Sequence, residues 1–176
     1  DHMTACVAAT QAISAWPWYL TTRDDPRLPR TVADIRRAVL ALPEQPAMVV
    51  IDHVKKLQPR GRHLQSRDAM REIGDDLVGL ARELAVPVIV LAHIGRAVAK
   101  DGVLARRPRM EDLSESGSLE EDADSIVLLH SEAVYPTKKY DKGDEPDPSL
   151  TDVQVAKYRG SKRGIRLKLR FRGEFQ

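Results

Sequence analysis

The chain has 176 residues, 42% of them apolar and 31% charged, and a formal net charge of +2 at pH 7. That length supports one domain with a real core, and the composition is that of a soluble globular protein. No run approaches the ~18 apolar residues of a membrane span, and nothing at the start has the form of a signal peptide.

Cys6 is the single cysteine, so no internal disulfide can form. This fits a reducing cytoplasm, and the residue reads as an incidental small apolar side chain rather than a nucleophile. The charge is unevenly spread. Seven acidic and no basic residues lie between Glu111 and Asp124, and eight basic and no acidic ones between Gln154 and Arg172. Such asymmetry suggests a basic surface offered to phosphates; two solvated faces of opposite sign would give the same pattern.

In chain order, Asp1-His2-Met3 reads as a cloning remnant, followed by a lead-in segment over residues 4–46. Val7, Ala8, Ala9 and Ala12 lie in an Ala-rich stretch that favours helix. Trp16 to Leu20 reads as a short extended piece, and Pro26 and Pro29 mark a loop. Thr31 and Asp34 have capping-box spacing, and Val32, Ile35, Val39 and Leu42 follow helical periodicity, which predicts a helix over 32–42. Pro43 and Pro46 stop it. Next come Met48-Val49-Val50-Ile51-Asp52, an apolar run ending on a carboxylate. The run reads as a strand buried on both faces. An acid at the C-terminal end of such a strand sits where open α/β sheets place ligands, and in nucleotide hydrolases it serves Mg²⁺. An Asp capping the turn after a core strand is the competing reading.

Lys55 to Arg67 reads as a basic mobile loop. Met70, Ile73, Leu77, Leu80 and Leu84 share one helical stripe, which predicts a helix of about 67–85. Val86 to Ala92 is a second buried strand ending at His93, and the order is that of a βαβ unit with a parallel sheet. Residues 95–110 read as basic and flexible. Residues 113–123 read as a loop leading into a helix turn, and 125–129 as a third buried strand. The Pro-rich, charged stretch 136–151 reads as a disordered or mobile insertion. Strands follow at 153–156 and 165–171. In the latter Ile165, Leu167, Leu169 and Phe171 alternate with Arg166, Lys168 and Arg170, the pattern of a half-buried antiparallel edge strand.

Four segments, in order, carry a family resemblance: Val49 to Asp52; Leu80 to Ile89; Asp112 to Asp124, containing Ser114-Glu115-Ser116-Gly117-Ser118; and Ala156-Lys157-Tyr158-Arg159-Gly160. Over roughly residues 30–176 the chain resembles the C-terminal motor domain of DnaB-type replicative helicases, with the third segment the most specific. The resemblance implies an α/β, RecA-like P-loop NTPase core: a mostly parallel sheet flanked by helices, with C-terminal antiparallel strands, incomplete on its N-terminal side. Residues 47–176 would form the helicase lobe. It implies ATP and Mg²⁺ as cofactors. The partners would be single-stranded DNA, identical subunits in a hexameric ring, and a primase or helicase loader.

By position, the resemblance implies that Asp52 serves Mg²⁺ through water. His93 stands where the family usually has a Gln that senses the γ-phosphate; the phage and mitochondrial primase-helicases look similar, with His in that place. Lys157 and Arg159 match a Lys-x-Arg pair inserted into the neighbouring subunit's site, where a cation stabilises charge on the transferring phosphoryl group. Ser114, Glu115, Ser116 and Gly117 match the loop that grips the DNA backbone. The family usually starts that loop with Arg, so one phosphate contact is lost here. Arg60, Arg62 and Arg67, in the region of another channel loop, would compensate.

No Gly-x-x-x-x-Gly-Lys-Ser/Thr occurs in the chain. Arg159 to Gly164 resembles a glycine-rich phosphate loop only superficially, because spacing and context differ. The chain alone is therefore not expected to hydrolyse ATP, and it is expected to expose apolar surface and self-associate. Two rival readings remain. One is a non-catalytic, helicase-like adaptor that binds a helicase ring or nucleic acid. The other is a recombinase-like ATPase, against which the Ser-Glu-Ser-Gly-Ser segment argues.

Overall fold

The computed structural model describes the whole chain except residues 1, 23–24, 26–27, 62–65, 95–98, 101–102, 105, 114–116, 161–163 and 171–176. The first helix, α1, spans His2–Ser14. Helix α2, Val32–Leu40, begins at the predicted capping box. The Asp34 N–H donates to Thr31 Oγ1 at 3.1 Å, and the Thr31 N–H donates back to Asp34 Oδ2 at 3.0 Å. Two of the otherwise orphaned N–H groups at the helix start are thereby satisfied.

Strand β1, Val49–Ile51, pairs in parallel with β2, Val88–Val90, in the register Val49↔Val88, Val50↔Ile89 and Ile51↔Val90. Helix α3, Ser66–Leu84, makes the crossover. Its stripe of Met70, Ile73, Leu77, Leu80 and Leu84 is buried against Val32, Ile51, Val54 and Leu57. Spacings of three and four keep those side chains on one face, so a single helix covers the strand pair. Arg36 of α2 donates through Nε to both carboxylate oxygens of Glu83 on α3, at 2.8 and 2.7 Å. The residue after α3, Ala85, is left-handed with φ +53°. It occupies the position where glycine usually ends a helix.

Beyond β2 lie a small hairpin, β3 Ala99–Lys100 with β4 Val103–Leu104, and a short helix α4, Gly117–Asp122. Leu119 of α4 packs against the core. Strands β5 (Ser125–His130), β6 (Leu150–Tyr158) and β7 (Ile165–Arg170) form an antiparallel sheet in the order β5-β6-β7. The βαβ unit and the C-terminal antiparallel strands are as expected from the sequence. Among the described residues, however, antiparallel pairing is the more extensive of the two.

Several local expectations are corrected. None of β1, β2 and β5 is buried on both faces: Val50 of β1 and Ile89 of β2 are 54% and 47% exposed, and in β5 Ile126, Leu128 and His130 are buried whereas Val127 and Leu129 are 53% and 62% exposed. An apolar run shows that both faces can be buried, but the sheet's packing decides whether they are. Strand β7 is the antiparallel edge that its alternation predicts, yet it is exposed along its whole length rather than half-buried. Described residues of the stretch after Asp52 are structured. Val54–Lys56 form a 3-10 turn, and Arg60 pairs with Asp76 of α3 at 2.7 Å. Within 95–110, Arg106 grips both oxygens of Asp112 at 2.6 and 2.9 Å. Residues 136–149 contain turns and no helix or strand. Among the described residues, no helix is long and apolar enough to cross a membrane.

Candidate nucleotide and nucleic-acid site

The register of β1 and β2 brings two separate chain segments together at their carboxyl ends. Leu91 N–H donates to Ile51 O, and Val54 N–H donates to Leu91 O, both at 3.0 Å. These bonds clamp Asp52-His53 beside Leu91-Ala92-His93. Val54, only 2% exposed, anchors the clamp in the core. Asp52 and His93 are exposed, while His53 is half-buried. The His53 and His93 rings stack, with centroids 4.2 Å apart and planes 29° from parallel. Sequence reasoning gave His53 no role; the Asp52-His53 dipeptide was the available signal.

One exposed carboxylate at the end of a strand suits a particular kind of metal binding. Mg²⁺ takes oxygen ligands and is commonly held by one or two carboxylates, waters and substrate phosphates. Asp52 fits that mode. A site built from protein ligands alone does not fit, because among the described residues no group of three His, Cys, Asp or Glu is placed to hold a metal ion.

Lys157 and Arg159 converge on one target, as alternate residues at the end of a strand can. That target lies within their own chain. Lys157 Nζ donates to the carbonyls of Glu120 and Glu121 at 2.5 and 2.9 Å. Arg159 donates to the Glu121 carbonyl at 3.1 Å and pairs with the Asp124 carboxylate at 2.9 Å. These are the last carbonyls of α4, which have no partner within the helix and carry the negative end of its dipole. Among the described residues, no hydrogen bond or ion pair joins this group to Asp52 or His93.

Of the expected DNA-contacting residues, Gly117 opens α4 and Arg67 is exposed on the first turn of α3. Arg60 is committed to acids of α3: besides Asp76, its Nε lies 3.6 Å from Glu72. Arg62, Ser114, Glu115 and Ser116 lie outside the described residues.

A polar network on the antiparallel sheet escaped sequence reasoning, since nothing in the local pattern marks it. The buried His130 ring lies 3.1 Å from Glu132, and Arg107 pairs with Asp152 at 2.9 Å. Burial pushes the Glu132 carboxyl up. The Thr137 N–H and hydroxyl, with His130 and Tyr140, outweigh burial and hold it at about 2. Hydrogen bonds to the charged form win over desolvation here, and they tie the turn after β5 to the sheet.

A family profile described as DnaB-like helicase C terminal domain matches residues 1–176. The replicative DNA helicase DnaB of Leifsonia xyli is 36% identical over 157 residues, 87% of this chain and 32% of that protein. The DnaB of Geobacillus stearothermophilus is 35% identical over 131 residues, 73% of this chain and 27% of that protein. The chain thus spans about a third or less of these relatives. Among solved structures, one described as an ATPase domain superposes with a TM-score of 0.75 at 28% identity, covering 96% of this chain and 56% of that one. A DnaB-like replicative helicase, described with its interactions with primase, gives 0.76 at 27% identity, covering 96% and 38%. The RadB recombinase, at 14% identity and a TM-score of 0.54 over 94% of this chain and 67% of that one, shares the fold alone.

Proposed function

The chain belongs to the DnaB-like helicase C-terminal domain family, and from that premise we propose that it is part of the motor of an ATP-dependent replicative DNA helicase. The observation that carries the reading is the parallel register at Ile51↔Val90, which brings the carboxyl ends of β1 and β2, followed by Asp52 and His93, to the same edge of the sheet. Ligands of open α/β sheets bind there. In this reading Asp52 holds Mg²⁺ through water, and the ion, when bound, offsets negative charge on the phosphates. His93 donates a hydrogen bond to a phosphate oxygen and loses that partner on hydrolysis.

Lys157 and Arg159 act across a subunit boundary in a hexameric ring. To do so they exchange the neutral carbonyls of α4 for anionic phosphate oxygens, which make the stronger, charge-assisted hydrogen bonds. Single-stranded DNA runs against Gly117, the residues just before it, and the basic stretch of Arg60, Arg62 and Arg67, with Arg60 giving up its pairing to Glu72 and Asp76 to do so. Contacts to the sugar-phosphate backbone suffice for tracking without sequence preference. A primase is the proposed partner in replication.

The test is a chimera in which these residues replace the matched segment of the Geobacillus helicase. DNA-stimulated ATP hydrolysis and strand separation are expected, with Asp52→Ala and Arg159→Ala abolishing both. A ring-forming chimera whose turnover is indifferent to Asp52→Ala would overturn the reading. The 176-residue chain alone is expected to show no turnover.

A further inference from the structure

We propose that His53 is a positioning residue: its ring is the platform that fixes the plane of His93. The functional half of this statement rests on the proposed phosphate-sensing role of His93, whereas the positioning itself does not.

The two histidines are unequally held. His93 is exposed and lies beyond the last paired residue of β2. An exposed imidazole turns freely, since the terminal torsion of His is broad and roughly two-fold. A ring that must direct one N–H at a small target needs an external restraint. His53 has what His93 lacks. Its backbone lies between the Leu91 N–H to Ile51 O bond and the Val54 N–H to Leu91 O bond, and its neighbour Val54 is buried in the core. The His53 ring is half-buried, and its Nδ1 is buried with no hydrogen-bond partner among the described residues. What the ring offers its neighbour is therefore its face. The 4.2 Å stack uses that face and restricts rotation of His93 about its last torsion. The same clamp that joins β1 to β2 thus carries rigidity outward, from Val54 through His53 to the exposed imidazole.

The experiment has a readout that does not depend on turnover. Carbon-13 relaxation of the His93 ring, assigned with His93→Gln, is measured in the 176-residue chain and in His53→Phe, His53→Leu and His53→Ala. Phe keeps a flat π face, Leu fills the space without one, and Ala leaves it empty. Ring order at His93 is expected to survive in Phe and to fall in Leu and Ala. Equal order in Phe and Leu, or a His93 ring already mobile in the unsubstituted chain, overturns the proposal. Should Ala fail to fold, the comparison of Phe with Leu still decides.

In the chimeric helicase the same variants separate the two halves of the statement. His53→Leu is expected to lower kcat by about 10- to 100-fold with KM nearly unchanged, the size of effect that a small misplacement of a catalytic group produces. His53→Phe is expected to restore it. If ring order follows the substitutions while kcat does not, positioning stands and the phosphate-sensing role of His93 falls.

Discussion

Replacing Lys157 with Met tests whether the pair Lys157 and Arg159 is held within its own chain. The substitution keeps the aliphatic stem and removes the charge. Lys157 Nζ makes two bonds to α4 carbonyls, and the one to Glu120 O is partly buried. A hydrogen bond to a charged group nets about 1.5–3 kcal/mol, but a cation at an exposed helix end yields only about 0.3–1 kcal/mol. One partly buried and one exposed bond place the loss between these ranges, at about 1–2 kcal/mol of α4 stability. That corresponds to a roughly 5- to 30-fold rise in local opening. The Arg159 side chain is 56% exposed and its Asp124 partner 81%. Water screens that pair, so Arg159→Met is expected to cost less than about 1 kcal/mol.

The assay is native-state amide exchange at Ala123, whose N–H donates to Leu119 O at 3.0 Å and so reports the closed last turn of α4. Exchange there is expected to accelerate in Lys157→Met by the stated factor, and by less in Arg159→Met. Unchanged exchange in Lys157→Met would refute the reasoning, because the cation would then not be spending its time on α4. The result bears on mechanism. In the proposed role across a subunit boundary, a cation held by its own helix would have to give up those carbonyls first, and the measured factor would be the handicap that a phosphate must overcome.

Thr31→Ala removes the acceptor that caps α2 and is expected to cost about 1 kcal/mol, read as a lower urea midpoint, with Thr31→Ser close to unchanged. Acid should unfold the chain in a defined window. The folded Glu132 carboxyl sits at about 2 against an ordinary 4.5, so the unfolded chain takes up its proton first as pH falls. This stabilisation is complete above about 4.5 and is lost as pH descends toward 2, and Glu132→Gln should flatten that part of the pH–stability curve. Leu129 and Leu167, 62% and 54% exposed on one face of the antiparallel sheet, are expected to drive self-association. Sedimentation of the Leu129→Lys/Leu167→Lys double variant should move toward a 19.7 kDa monomer, and a wild-type chain that already sediments as a monomer at tens of micromolar would refute this.

The elements legible in the sequence are those set by local periodicity. The stripe from Met70 to Leu84 defines α3 because the helical repeat alone aligns those residues. Thr31 and Asp34 define the start of α2 because capping is a contact over three residues. Partnership was less legible. The alternation from Ile165 to Leu169 announces a strand but not what covers it, and the run Ile126 to Leu129 is compatible with burial on one face or two. The shared direction of Lys157 and Arg159 follows from strand geometry, whereas their target on α4 does not. The His53–His93 stack is illegible for the same reason: it depends on the register of β1 against β2, which no local pattern encodes.

That register also bears on how the site behaves in the chain by itself. Helices α2 and α3 cover the face of the strand pair that carries Val49, Ile51, Val88 and Val90. On the opposite face Val50 and Ile89 are 54% and 47% exposed, and Met48 and Leu91 are similarly open. Alternation places Asp52 and His93 in line with that open face, and both are exposed. Unit charges about 4 Å apart interact by about 1 kcal/mol in water and by about 4 kcal/mol at the effective dielectric of a protein surface. In the proposed roles, Asp52 solvated in this way would hold Mg²⁺ weakly, and His93 would hold a phosphate oxygen weakly. A cover laid over Met48, Val50, Ile89 and Leu91 would stand directly beside them, exclude water and strengthen every charge interaction at the strand ends. In the proposed function, covering the apolar face would therefore strengthen the hold of Asp52 on Mg²⁺ and of His93 on a phosphate oxygen.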